Sequence, residues 1–290
     1  MDRLPAARQL VRRFVAGPTA EDAFAVIARL NAQGLEAAVT HLGEHVTTAD
    51  DAARATASYL DLLDELGRRG LRAVPSVKLT HLGLDLGESM CRAHVESLAA
   101  RALATRTLVW IDMESSAYTE RTLDLFQRVR AGHANVACVI QAYLRRTAHD
   151  VERLIELGAR VRLCKGAYRE PSSVAFPDKR EVDASYARLI DRLLAPDARA
   201  RGVYPAFATH DERLLTHARE AARAGGVGGE RFELQMLYGI RHDLHAPLRA
   251  AGLAVRILVP YGEDWYGYFM RRLAERPANL AFFVRHLLRT

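Results

Sequence analysis

The chain has 290 residues, 49% of them hydrophobic and 26% charged, with a formal net charge of +6. That is a globular composition near the upper size for one hydrophobic core. No run reaches the eighteen apolar residues of a membrane span, and the charged start MDRLPAARQLVRRF has no apolar signal-peptide core, so a cytoplasmic protein is expected. Basic residues are spread along nearly every helical stretch, without zinc-finger spacings or RNA-recognition signatures, which argues against a nucleic-acid partner. Weak peripheral contact with anionic lipid on the inner face of the cell membrane stays open.

In chain order, a short basic helix comes first. Thr19 followed by Asp22 then predicts the N-cap of a helix reaching about Ala32 and stopped by Gly34. From there short, branched apolar runs recur at 36–40, 71–77, 108–111, 136–141, 160–164, 203–208, 232–237 and 254–259. Helical patterns lie between them. Thr47 with Asp50 predicts the cap of a helix ending at Gly70, and Thr147 with Asp150 the cap of one ending at Gly158; others stop at Gly132 and Gly252. Eight strands alternating with helices predict an α/β fold, a (β/α)8 barrel over residues 35–290, with residues 1–34 as a helical segment of the same domain. A doubly wound sheet is the alternative, weakened because no GxGxxG follows the first strand. Pro75 and Pro205 are expected at strand starts or bulges, since a closed barrel has no edge strand. The long connection 168–180 reads as a lid.

In such a barrel the chemistry belongs to the C-terminal ends of the strands. Reading only those positions gives Lys78, Asp112, Gln141, Arg162 with Lys165, Thr209 with His210, and Gln235. Each has a bland reading as a cap or a satisfied core group; their convergence on one barrel mouth is harder to dismiss. Downstream, Tyr268, Arg271, Arg272 and Glu275 share one helix face, which suits an anion with a cation nearby, as in an amino acid. No metal is expected: the first strand ends without a His-x-His pair, and His41 with His45 or His242 with His245 read as surface or packing. Cys91, Cys138 and Cys164 show no CxxC and read as buried thiols. Only three of the 41 basic residues are lysine, namely Lys78, Lys165 and Lys179, so each is a candidate for a place where arginine will not serve. A Schiff-base lyase using Lys165 or Lys78 is therefore a rival, and a non-catalytic basic binding module is a second.

The segments SVKLTHLGLDL from Ser76, IDMES from Ile111, QAYLRR from Gln141, VRLCKGAY from Val161, FATHD from Phe207 and LQMLYG from Leu234 stand in this order. With YGEDWYGYFMRRLAERPAN from Tyr261 they resemble the flavin-dependent proline dehydrogenase family of single-activity bacterial type, over about 35–290. The resemblance implies a distorted (β/α)8 barrel holding FAD at the strand C-termini. It implies oxidation of L-proline to Δ1-pyrroline-5-carboxylate, with a quinone as electron acceptor. Arg271 and Arg272 would hold the proline carboxylate, Glu275 would pair with one of them or with Lys78, and Tyr268 and Leu237 would pack on the ring. Asp112 would stand beside Lys78, as the catalytic pair, near the substrate amine and the flavin edge. Arg162 would face the flavin, Gln141, Cys164, Gly166, Ala167, Thr209 and His210 would contact it, and Lys179 would lie near its phosphates. Two departures stand out: Leu258 where many members carry tyrosine, and a short start that leaves the N-terminal cover of the barrel thin.

Overall fold

A computed structural model describes residues 11–274, with side chains to 272. Eight parallel strands close on themselves in sequence order: β1 (Glu36–His41), β2 (Ala73–Val77), β3 (Val109–Ile111), β4 (Val136–Gln141), β5 (Arg160–Cys164), β6 (Tyr204–Ala208), β7 (Glu233–Leu237) and β8 (Ala254–Tyr261). Each run of branched residues becomes a strand, and β2, β3 and β4 are buried at every position. That is what parallel strands covered by helices require. Closure comes from the long pairing of β8 with β1, from Glu36 beside Arg256 to His41 beside Tyr261.

Helices fill the connections: α1 (Ala20–Ala32), α2 (Ala49–Arg68), α3 (Glu88–Ala104), α4 (Thr119–Arg130), α5 (Thr147–Glu156), α6 (Lys179–Leu194), α7 (Pro196–Ala200), α8 (Glu212–Ala224), α9 (His242–Ala250) and α10 (Trp265–Ala274). Thr19 and Asp22 form the predicted reciprocal cap of α1. Two other caps differ from expectation. In the tandem Thr47-Thr48 the second threonine caps α2, accepting the Asp51 amide, and this register buries the stripe Ala52, Ala55, Tyr59, Leu62, Leu63 and Leu66. Thr147 lies inside α5 instead of capping it, because its hydroxyl donates to the Gln141 carbonyl at 2.6 Å while Asp150 is held by Arg146.

Of the prolines, Pro205 falls at a strand start as expected and Pro75 does not. Pro75 sits in the middle of β2, opposite Val39, and Pro205 is the second residue of β6. Each stands one residue before the ladder to the following strand begins, at Ser76 for β3 and Ala206 for β7, so the missing N–H breaks no bond on that side. The 168–180 connection is a strap and not a free lid. A Leu144–Ala175 bridge, the Arg145 amide on the Val174 carbonyl (3.0 Å) and the Phe176 amide on the Tyr143 carbonyl (2.8 Å) fasten it to the end of β4. Cys91 and Cys138 are buried as expected, whereas Cys164 is only half-buried, its thiol donating to the Ile140 carbonyl at 3.3 Å. Val11, Phe14 and Val15 pack against Leu42, Ile240, Tyr268 and Phe269, so the first described residues brace α10 at the barrel mouth. At the opposite end a groove of about 870 Å³ opens, lined among others by Glu36, Arg72, Arg160 and Arg256.

Candidate active site

Lys78 is the first residue past β2, and its carbonyl accepts the amides of His81 and Leu82, so the chain turns there and lifts the side chain into the mouth. Its Nζ donates to Glu44 Oε1 at 2.6 Å, and Arg271 Nη2 from α10 donates to the same oxygen, also at 2.6 Å. Burial works against an ionised Glu44, but Lys78 and then Arg271 override it and hold the carboxyl below its ordinary value. The Arg271 guanidinium stands 5.4 Å from the centre of the Tyr168 ring, and that of Arg272 stands 5.0 Å from the Tyr268 ring. Tyr268 and Arg272 are buried. On α10 Arg271 thus meets Glu44 and Tyr168, while Arg272 is buried against Tyr268; Glu275 lies outside the described residues.

A second pair lies deeper. Asp112 Oδ1 accepts from Ser76 Oγ at 2.7 Å and from Arg162 Nη1 at 2.8 Å, and the same Nη1 is 2.9 Å from Ser76 Oγ. Arg162 on β5 therefore spans the lumen to β2 and the end of β3, with its guanidinium 4.5 Å from the Trp110 ring. Lys78 and Asp112, expected side by side, each have their own opposite charge: the long arginine reaches Asp112 across the barrel while Glu44 meets Lys78 from the β1 loop. Burial pushes the Arg162 pKa down and Asp112 works against that. Two further donors of Arg162, Nε and Nη2, and the acceptor Gln141 Oε1 are buried without a hydrogen-bond partner among the described residues. Such groups are costly to leave unmet.

Along the rim of β5 to β7 the predicted residues come together. Lys165 Nζ lies 2.5 Å from Asp183 and 3.1 Å from Asp211, and Lys179 reaches Asp183 at 2.6 Å. A Schiff-base nucleophile needs a free amine, and a lysine held by two carboxylates is poorly placed to be one. Gly166 has φ +115°, and a Cβ there would stand 2.2 Å from the Tyr143 ring, so no other residue fits; Ala167 beside it is exposed. Thr209 Oγ1 accepts the Asp211 amide at 3.2 Å. His210 Nε2 accepts the Leu237 amide at 3.0 Å, which fixes the end of β7 and turns Leu237 toward the cluster that holds Tyr268. Leu258 on β8 pairs with Leu237. Gln235 is not at a strand end; it donates to Glu233 inside β7. Glu44, His45 and Glu114 approach one another closely enough to share a cation, but Glu44 is already neutralised by Lys78 and Arg271.

Three residues of the mouth escape a reading of strand ends. Glu44 stands three positions past β1, Ser76 lies within β2, and Tyr168 sits in the quoted VRLCKGAY segment without a role. The signal for Glu44 was its place on a strand-to-helix loop at the C-terminal rim; for Ser76 it was its place near the C-terminal end of β2, two residues before Lys78.

A closed eight-stranded barrel with two cation–carboxylate pairs gathered at the strand C-termini defines a barrel enzyme with its chemistry at that mouth. The Proline dehydrogenase family profile matches residues 23–285. Proline dehydrogenase 2 of Bacillus subtilis (strain 168) is 38% identical over 270 residues, 93% of this chain and 88% of the relative. Proline dehydrogenase of Deinococcus radiodurans is 36% identical over 285 residues, 97% and 90% of the two chains. Among solved structures, proline utilization A from Bdellovibrio bacteriovorus shares the fold with a TM-score of 0.85 at 24% identity, over 92% of this chain and 32% of that one. A variant of Bradyrhizobium japonicum proline utilization A matches with a TM-score of 0.78 at 26% identity. It is covered over 92% of this chain and 31% of its own, so the present chain spans about a third of those longer proteins. The chain belongs to the proline dehydrogenase family and is an oxidoreductase of the class acting on a CH–NH donor.

Proposed function

We propose that this enzyme oxidises L-proline to Δ1-pyrroline-5-carboxylate at the barrel mouth, using FAD, with a quinone as the final acceptor. The observation that carries the reading is the convergence of Lys78 and Arg271 on one carboxylate oxygen of Glu44. The mouth already holds a carboxylate between two cations, and an incoming α-carboxylate competes for the same donors. Arg271 and Arg272 supply the fork that fits it, while Leu237, Tyr168 and Tyr268 give the pyrrolidine ring apolar walls. Leu258, paired with Leu237, adds an aliphatic surface there in place of a hydroxyl.

The residues present also fit a flavin. Arg162 Nε and Nη2 are buried donors and Gln141 Oε1 a buried acceptor at the centre of the mouth, matching a flat heterocycle with both kinds of group along one edge. Lys165 and Lys179 place cations at the rim for phosphates, and Gly166 leaves the backbone approachable beside Cys164 and Ala167. Thr209 and His210 border the same rim. When bound, the flavin supplies the hydride acceptor. Proline loses a hydride from the ring carbon next to nitrogen and a proton from nitrogen, forming the C=N bond. Asp112, held by Arg162 and Ser76, and Lys78, held by Glu44, are the charged groups that set the field around that nitrogen.

No described helix is long and apolar enough to cross a membrane. A cytoplasmic enzyme that reaches its quinone by weak contact with the inner face of the membrane fits that observation. The deciding experiment is a visible spectrum of the purified protein before and after anaerobic addition of proline. Flavin bands that bleach are expected. A colourless protein that takes up no FAD overturns the cofactor, and a stable yellow spectrum with proline present overturns the substrate.

A further inference from the structure

Glu114 and Thr80 are fully enclosed, at 2% and 0% exposure, and neither belongs to the pairs described above. Glu114 stands two residues past Asp112. Its Oε1 accepts the Thr80 amide at 3.1 Å and its Oε2 accepts the Thr80 hydroxyl at 2.5 Å. The same hydroxyl oxygen accepts the His45 amide at 3.2 Å, and the Thr80 carbonyl accepts the Val46 amide, also at 3.2 Å. His45 and Val46 directly follow Glu44, while Thr80 lies in the turn that begins at Lys78.

A buried chain of hydrogen bonds thus runs from the β3 loop through Thr80 to the β1 loop, and it brackets the Lys78–Glu44 pair from behind. A hydroxyl has one proton, and with that proton on Glu114 the oxygen is left to receive His45. We propose that Glu114 and Thr80 are positioning residues for substrate binding: they hold the backbones of Glu44 and Lys78 at a fixed separation, so that the pair opens to a carboxylate by side-chain motion alone. Neither touches the substrate. Glu114 also continues the segment that carries Asp112, so one clamp registers the carboxylate-binding half of the mouth against the Asp112–Arg162 half.

The inference rests on the proposed proline pocket, and its test separates the two. The holoenzyme variants are Thr80→Val, which keeps the shape and deletes the hydroxyl, Thr80→Ser, which restores it, and Glu114→Gln, whose amide donates where an acceptor is required. Four quantities are read: KM and kcat for proline, the calorimetric Kd of tetrahydrofuran-2-carboxylate (a ring carboxylate with oxygen in place of the amine), and the flavin-to-protein absorbance ratio. Losing a buried hydrogen bond of the clamp is expected to raise KM and that Kd roughly tenfold in Thr80→Val and Glu114→Gln. Flavin content holds and kcat stays within about twofold, because the reacting groups are untouched. Thr80→Ser returns to wild-type values. Unchanged KM and Kd in Thr80→Val overturn the clamp, as does a joint loss of kcat and flavin that Thr80→Ser does not repair. A wild-type protein inert to proline that still binds the analogue overturns the functional reading alone, and the Kd ratios then still judge the clamp.

Discussion

Arg271 and Arg272 are neighbours in sequence with different tasks. Arg271 faces the mouth, shares Glu44 with Lys78 and lies over Tyr168; Arg272 is buried against Tyr268. In the proposed pocket, a carboxylate entering between them meets one cation that must leave Glu44 and one already fixed by its surroundings. Arg272→Met removes the fixed one. The expected loss is about 2 kcal/mol of charge-assisted bonding, or roughly thirtyfold in KM for proline. Arg272→Lys recovers little, because an ammonium cannot present the planar fork. Steady-state kinetics decide, and an unchanged KM removes the carboxylate role from Arg272. At this scale the sequence was informative where a residue follows a strand directly or repeats along a helix, which is how Lys78, Asp112, Arg271 and Arg272 are legible. Glu44 and Ser76 are not, because their importance lies in what reaches them: a lysine across one loop, an arginine across the lumen.

Among the elements, the strands were legible almost to the residue, since a parallel strand buried on both faces must be a continuous apolar run. Helix starts were less so. The tandem Thr47-Thr48 offers two capping registers, and packing of the α2 stripe selects the second; Thr147 looks like a cap and is instead spent on the Gln141 carbonyl. The 168–180 strap was misread because its anchors are backbone bonds to the β4 loop, which leave no side-chain signature. Gly166 is where strap and site meet. Its φ of +115° lies outside the range of L-residues, and the Tyr143 ring occupies the place of a side chain. Gly166→Ala is therefore expected to cost roughly 3 kcal/mol, visible as a fall in Tm of about 5–10 °C. Flavin content is expected to drop with it, since the displaced backbone lies beside Cys164 and Lys165. Thermal unfolding paired with the flavin-to-protein absorbance ratio checks both halves; a Tm at the wild-type value contradicts the account.

Across the whole molecule, charges of alternating sign run through the barrel from floor to mouth. Arg256 on β8 bonds to Glu233 at 2.9–3.2 Å and to the Ala37 carbonyl at 3.0 Å, and it also reaches Glu36 at the edge of the floor groove. Arg162 follows above, influenced by both Glu233 and Arg256, and Asp112 ends the series at the site. Burial disfavours an ionised Glu233, yet Arg256 overrides it and keeps the carboxyl below its ordinary value. A buried pair of this kind contributes little net stability against an apolar replacement, but removing one member strands the other. Glu233→Gln is accordingly expected to cost about 3 kcal/mol, because the Arg256 guanidinium loses its buried counter-charge. The double variant Glu233→Gln, Arg256→Met recovers most of that loss by removing the stranded cation as well. Thermal unfolding of the two variants reads the difference directly. A double variant no more stable than Glu233→Gln shows that the floor pair stabilises the barrel in its own right; a recovered one shows that the pair adds little net stability over an apolar replacement.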